Sequence, residues 1–220
     1  MRSMTTDGRI SKAQLHYEQA VFGGDSDALS VADRDLDAVE ADLALARGRI
    51  AHARYLEQRV EDERELELFE RAAGLYRELG DTRGEGEARF WIGAFHQVVR
   101  DDTTAALPAL ERSLALSVAA GDRLTASYAR RHLGFAAHRA GRLDEARTHL
   151  EESTRLRREL GFLPGVAANL VGLAHLAAQQ GRPEDVTALL REAEDLTATP
   201  DARGVRRWVD QARTELAPAG

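Results

Sequence analysis

The sequence contains no cysteine among its 220 residues. That excludes disulfides, thiolate nucleophiles and any zinc site built on sulfur, and it fits a reducing cytoplasm. No run approaches the ~18 apolar residues of a membrane span, and the opening Met1-Arg-Ser-Met-Thr-Thr-Asp7 lacks the apolar core of a secretory leader. The expectation is a cytoplasmic chain without a membrane partner. Lysine is almost absent: Lys12 is the only one, while arginine is plentiful. Thirty basic residues against thirty-seven acidic leave a net charge of −7, which repels a polyphosphate and argues against nucleic acid as a partner. Nucleotide signatures are missing too. Gly84-Glu-Gly86-Glu-Ala-Arg89 begins like a dinucleotide loop but lacks the third glycine and puts carboxylates where a pyrophosphate would sit. There is no Walker loop and no Gly-x-Ser-x-Gly elbow.

What the chain has is a line written four times. Phe69-Glu-Arg-Ala72, Leu110-Glu-Arg-Ser113, Leu150-Glu-Glu-Ser153 and Leu190-Arg-Glu-Ala193 succeed one another at spacings of 41, 40 and 40 residues. Self-similarity at such a period means that each unit cannot bury its apolar face alone and must stack on its neighbours. Gly80-Asp81, Gly121-Asp122 and Gly161-Phe162 punctuate the ends of charged helical segments. Glycine supplies the left-handed residue that closes a helix, and aspartate caps the next. Thr82-Arg-Gly-Glu85 has the spacing of a capping box. An apolar segment with helical period comes after each of these turns. Gly141-Arg142, Gly181-Arg182 and Asp101-Asp102-Thr103 then mark second turns, so each repeat reads as a helix pair. Pro108 should delay or bend its helix.

The fold expected is therefore all-α: an α-solenoid of about four helix pairs in residues 33–201, divided near 33–81, 82–121, 122–161 and 162–201. An N-terminal helix and loop occupy 1–32, with helices at Ser11 to Phe22 and from Asp35 to about Gln58. Residues 202–220 read as a capping helix and tail, whose Val205, Trp208, Val209, Ala212 and Leu216 would cover the last pair. One elongated domain is the working count. Charge is uneven: residues 33–81 hold fourteen acids and eight arginines, residues 122–162 six acids and nine arginines.

The pattern Leu133-Gly134, Ala137, Gly141, Ala146, Leu150 resembles the tetratricopeptide repeat, and Ile92-Gly93 with Ala106, and Leu173 with Gly181 and Leu190, repeat it less perfectly. The resemblance covers roughly residues 42–196. The units are longer than the usual 34 or so residues and lack the closing proline, and in this they resemble the arrays of kinesin light chains and of bacterial regulators. The resemblance implies a right-handed superhelix whose concave groove is lined by the first helix of each pair, and a role in binding. With the Leu-Gly glycines as register marks, groove positions fall on Phe90 and Gln97 in the second repeat, and on Arg131, Phe135 and His138 in the third, with Tyr128 and Arg139 nearby. Gly48 and Gly172, used the same way, add Arg49, His52 and Asn169. Aromatic faces beside arginines suit an extended or helical protein or peptide segment with an acidic group.

Each of these residues also has an ordinary structural reading. Aromatics in such arrays commonly pack between repeats, and surface arginines pair with nearby acids such as Glu145, Glu151 and Glu152. His52, His96, His138 and His175 recur in successive first helices, but neighbouring helices lie about 8 to 10 Å apart, too far for tight shared coordination. No metal, cofactor or catalytic residue is assigned. The carboxylate clamp of chaperone-binding members needs lysines in the groove, and the sole lysine lies outside the repeats. Function is therefore expected to be a non-catalytic scaffold for a protein or peptide. The alternative is a sensor module that binds a small molecule or signalling peptide and acts on an effector in trans, and an enzyme with a site assembled across several helices is a distant third. A homodimer, with the acidic first repeat meeting the basic third, stays open.

Overall fold

A computed structural model of the chain describes residues 7–198 and 202–217. Residues 1–6, part of the stretch that lacks the apolar core of a leader, and 199–201, where the last boundary is expected, lie outside the described residues. Every regular element among the described residues is helical: α1 (Gly8–Gly23), α2 (Asp27–Gln58), α3 (Arg64–Leu79), α4 (Thr82–Ala94) with a π-helical turn at Phe95–Val99, α5 (Thr103–Ala119), α6 (Arg123–Arg139), α7 (Leu143–Glu159), α8 (Leu163–Gln179), α9 (Pro183–Leu196) and α10 (Arg203–Glu215). The chain divides into two compact halves, residues 1–102 and 103–220. In the N-terminal half α1 packs on α2, α2 on α3 and α3 on α4. In the C-terminal half α5 through α9 each pack on the next, and α10 packs on α8 and α9.

The turns arise from glycine and aspartate. Gly80, Gly121, Gly141, Gly161 and Gly181 all sit at φ between 68° and 74°, the left-handed region that closes a helix. Asp81 and Asp122 then cap the next helix, Asp81 accepting from Gly84 N–H at 2.9 Å and Asp122 from Thr125 N–H at 3.1 Å. The capping box expected at Thr82–Glu85 does not form, because the cap is Asp81 and Glu85 therefore lies a position too far along. Glu85 is instead buried and faces Arg89 at 3.5 Å. Two other expectations need correction. The helix holding Pro108 starts at Thr103, so the proline does not delay it but lies inside it, without an N–H to donate. Helix α2 begins at Asp27 rather than Asp35, leaving a three-residue connection after α1.

The second repeat carries one residue more than its successors. Its first helix starts 21 residues before its second, at 82 and 103, whereas those of the third and fourth start 20 before, at 123 and 143 and at 163 and 183. The π-helical turn of Phe95–Val99 takes up the extra residue. Asp101 comes next at φ 54°, in the place where the later repeats have Gly141 and Gly181.

In the first, third and fourth helix pairs, a large apolar residue of the second helix meets a small residue of the first. A Cβ added to Gly48 would lie 2.5 Å from the ring of Phe69, and one on Gly134 would lie 3.2 Å from the side chain of Leu150. Ala174 plays this part in the fourth repeat, fully buried in one cluster with Val186 and Leu190. On α10, Val209 and Ala212 are buried and Val205 and Leu216 partly so, but Trp208 faces outward at half exposure, because it lies on the flank of the α10 stripe. Replacing Gly48 by alanine is expected to destabilise the N-terminal half by about 1–3 kcal/mol, since Phe69 is wholly buried and cannot retreat. Gly74→Ala, in helix α3 with nothing within 4 Å, is expected to stabilise it by about 0.5–1 kcal/mol; urea unfolding of both variants checks the pair.

Candidate functional site

The expected groove residues divide by burial. In the N-terminal half His52, Phe90 and Gln97 are buried. His52 Nδ1 lies 2.7 Å from Glu65 Oε1, joining α2 to α3, and its ring meets the edge of Trp91 at 5.3 Å. Phe90 packs against the same tryptophan. Arg49 is exposed, lies 3.2 Å from Glu87 and stands over Trp91 at 5.8 Å. These contacts hold α2, α3 and α4 together. The recurring histidines each have a separate engagement: His96 packs on Phe95, His138 Nε2 lies 2.9 Å from Gln179 Oε1, and His175 lies 3.9 Å from Glu215.

The C-terminal half assembles a buried polar cluster from three helices. From α6, Arg131 Nη1 donates to the carbonyl of Ala168 at 2.7 Å and to Asn169 Oδ1 at 2.7 Å, both on α8. Its guanidinium stands 4.5 Å over the ring of Phe135, one turn along α6. From α7, Arg157 Nη1 donates to the same Asn169 Oδ1 at 3.1 Å and to the Gly165 carbonyl at 2.8 Å. Its Nε donates to Ser127 Oγ at 3.3 Å. Arg157 is 2% exposed, and its guanidinium lies 4.8 Å from the ring of Tyr128 and 5.5 Å from that of Phe162. Asn169 Nδ2 donates to Ser153 Oγ at 2.8 Å, and that hydroxyl donates to the Ser127 carbonyl at 2.6 Å. Three helices are thus tied through one amide.

No carboxylate takes part. Among the described residues, the hydrogen-bond partners of Arg131 and Arg157 are neutral oxygens, and Nη2 of Arg157 is buried with no partner. Burial, and then the charge of Arg157, pull the pKa of Arg131 down to about 9. Burial likewise lowers Arg157 to about 10. Both remain cations at neutral pH. Because each folded-state value lies below that of a free arginine, the charged forms oppose folding at pH 7, and that cost fades only as pH rises above the lowered values. Elsewhere exposed arginines meet acids, as Arg155 meets Glu152 at 2.7 Å and Arg142 meets Glu145 at 2.7 Å.

Tyr128, Arg131, Phe135 and His138 are each partly exposed, and Arg139 is exposed. Asn169 is not: it is completely buried. The cause is register. The small residue at which α8 crosses its partner is Ala174, not Gly172, whose added Cβ would meet Leu150 and Phe135 of the preceding repeat. Counting from Gly172 shifts the reading by two residues and turns an inter-repeat position into a groove position.

Sequence reasoning passed over Arg157. The signal was present: Tyr76, Ser117, Arg157 and Thr197 each stand four residues after the end of the fourfold line, and all four are buried. An arginine in that row is enclosed by the fold itself.

The family model of the tetratricopeptide repeat matches residues 86–159 and 122–198, which together span just over half of the chain. The chain belongs to the tetratricopeptide repeat family. Its repeats are of a kind that mediates protein–protein interaction. No curated protein matches the sequence. No helix among the described residues is long and apolar enough to cross a membrane.

Removing the shared acceptor should expose the cost of the buried cations. Asn169→Ala is expected to destabilise the C-terminal half by about 2–4 kcal/mol, whereas Asn169→Asp puts a carboxylate between the guanidiniums and should unfold at clearly higher denaturant than the alanine variant. Equal midpoints for the two would mean that charge is not what the amide is compensating.

Proposed function

We propose that this tetratricopeptide repeat protein is a non-catalytic scaffold that recognises a protein or peptide segment through an acidic group. The contact surface in this reading is the partly exposed face of α6, with Arg131 as the anchor. The observation that carries it is the state of that arginine: stacked on Phe135, fixed by two bonds to α8, and without a carboxylate partner among the described residues. A guanidinium held by neutral oxygens is oriented but electrically unsatisfied. Tyr128 and Phe135 offer apolar surface one turn to either side, and His138 and Arg139 extend the polar edge. A segment laid along α6 with one aspartate or glutamate near Arg131 meets each of these in turn.

The test uses the full chain and an array of short peptides carrying one aspartate or glutamate, each beside its asparagine or glutamine counterpart. Acidic members are expected to bind more tightly, and Arg131→Gln should weaken them at least tenfold, while Arg207→Gln, at an exposed position of α10, should leave them unchanged. Equal affinity for acidic and amide peptides, or no effect of Arg131→Gln, would remove the α6 surface from consideration.

A further inference from the structure

The arginine pair between α6, α7 and α8 has a property that ordinary surface arginines lack: two guanidiniums converge on one neutral oxygen. Asn169 Oδ1 accepts from Arg131 at 2.7 Å and from Arg157 at 3.1 Å, so the cations are held against each other with only an amide dipole between them. Arg157 is enclosed to 2% exposure and still has one nitrogen, Nη2, without a partner. A buried donor that finds no acceptor costs stability, and a buried cation without a counter-charge costs more. Nothing within the described residues repays this, since the aromatic faces of Tyr128 and Phe162 offer only a quadrupole. Two other buried ionisable groups stand beside a side chain able to carry the opposite charge, with Oε2 of Glu65 likewise lacking a hydrogen-bond partner. Glu65 has His52 at 2.7 Å, and Glu85 has Arg89 at 3.5 Å.

We infer that Arg131 and Arg157 form a single oxyanion site, taking one carboxylate or phosphate group, and that occupation of this site stabilises the packing of α6, α7 and α8. In this reading the group enters beside Tyr128 and Arg131, which keep part of their surface, and the Tyr128 ring, 4.8 Å from the Arg157 guanidinium, moves to admit it. A planar carboxylate or a phosphate supplies at least two acceptor oxygens, which two forks at this spacing can share. The site is distinct in kind from a groove lined by first-helix side chains, because half of it comes from the second helix of the third repeat. Its consequence is a linkage: whatever carries the anion also stiffens the half that binds it, by mass action on the folded state. The inference rests on reading the α6 face as the contact surface only for the direction of entry.

Thermal unfolding of the full chain checks it, in millimolar inorganic phosphate and, separately, acetate, against chloride at equal ionic strength. A saturable rise in midpoint of about 3–5 °C is expected with at least one of the two. Response to phosphate alone assigns a phosphate group, and response to acetate alone a carboxylate. Arg131→Gln should abolish the rise. Asn169→Asp, which keeps the fold and fills the site from within, should be insensitive to both anions. No saturable rise in the wild type, or the same rise in Asn169→Asp, overturns the inference. Should acidic peptides bind through Arg131 while neither small anion moves the midpoint, the contact surface stands and the paired site does not; anion-linked stabilisation without peptide discrimination gives the reverse.

Discussion

The first, third and fourth repeats each turn on one close contact, a large apolar side chain of the second helix pressed on a small residue of the first. Phe69 against Gly48, Leu150 against Gly134 and Leu190 with Ala174 are versions of it. The partner must be small because the large side chain, and at Gly134 also the Ala146 carbonyl, already fills the space of a Cβ, so packing fixes the rotational phase of both helices at once. Once that phase is set, the faces of each helix are assigned. One side goes to its own pair, one to the neighbouring repeat, and the remainder to solvent. Arg131 and Arg157 are placed by this rule, held where the helices put them rather than beside a carboxylate.

The rule acts most visibly on the row of residues four places after the fourfold line. Tyr76 reaches Asp42 at 2.7 Å, Thr197 bonds back to the carbonyl of Ala193 at 3.0 Å, and Arg157 spans to α6 and α8. The position is always enclosed, and its chemistry is free to vary. The threonine hydroxyl is satisfied by its own helix, whereas the guanidinium recruits neighbours. In the third repeat it recruits Ser127, Gly165 and Asn169, three oxygens and no negative charge. Packing and electrostatics are therefore in conflict at one point of an otherwise self-consistent array, and such points are where proteins tend to keep function.

The helix pairs, the glycine turns and the aspartate caps at 81 and 122 were legible in the sequence because each rests on local chemistry repeated at a fixed period. The buried face of α10 was legible as a stripe, but Trp208 was not, since a helical period alone does not say where a stripe ends. Of the candidate site, the partly exposed positions of Arg131 and Tyr128 follow from the Leu133-Gly134 mark. Asn169 was read with the wrong environment, because two candidates for the crossing residue, Gly172 and Ala174, lie two positions apart and only packing chooses between them. Arg157 was hidden for another reason. In the sequence it belongs to a run of charges, Arg155, Arg157 and Arg158, of which two are exposed and one is buried. The pattern of charge does not distinguish them, while the register of the repeat does.

The uneven spacing of the fourfold line, 41 residues once and 40 thereafter, has its physical origin in the π-helical turn of Phe95–Val99. A residue inserted into an α-helix would ordinarily rotate every later side chain by about 100° and carry the helix out of phase with its partner. Widening a single turn absorbs the insertion where it arises, at the very end of α4. The chain then re-enters the common turn with Asp101 in the backbone state that glycine holds in later repeats. An array built this way tolerates a change in length without re-registering the repeats beyond it, so the third and fourth keep their arithmetic although the second does not.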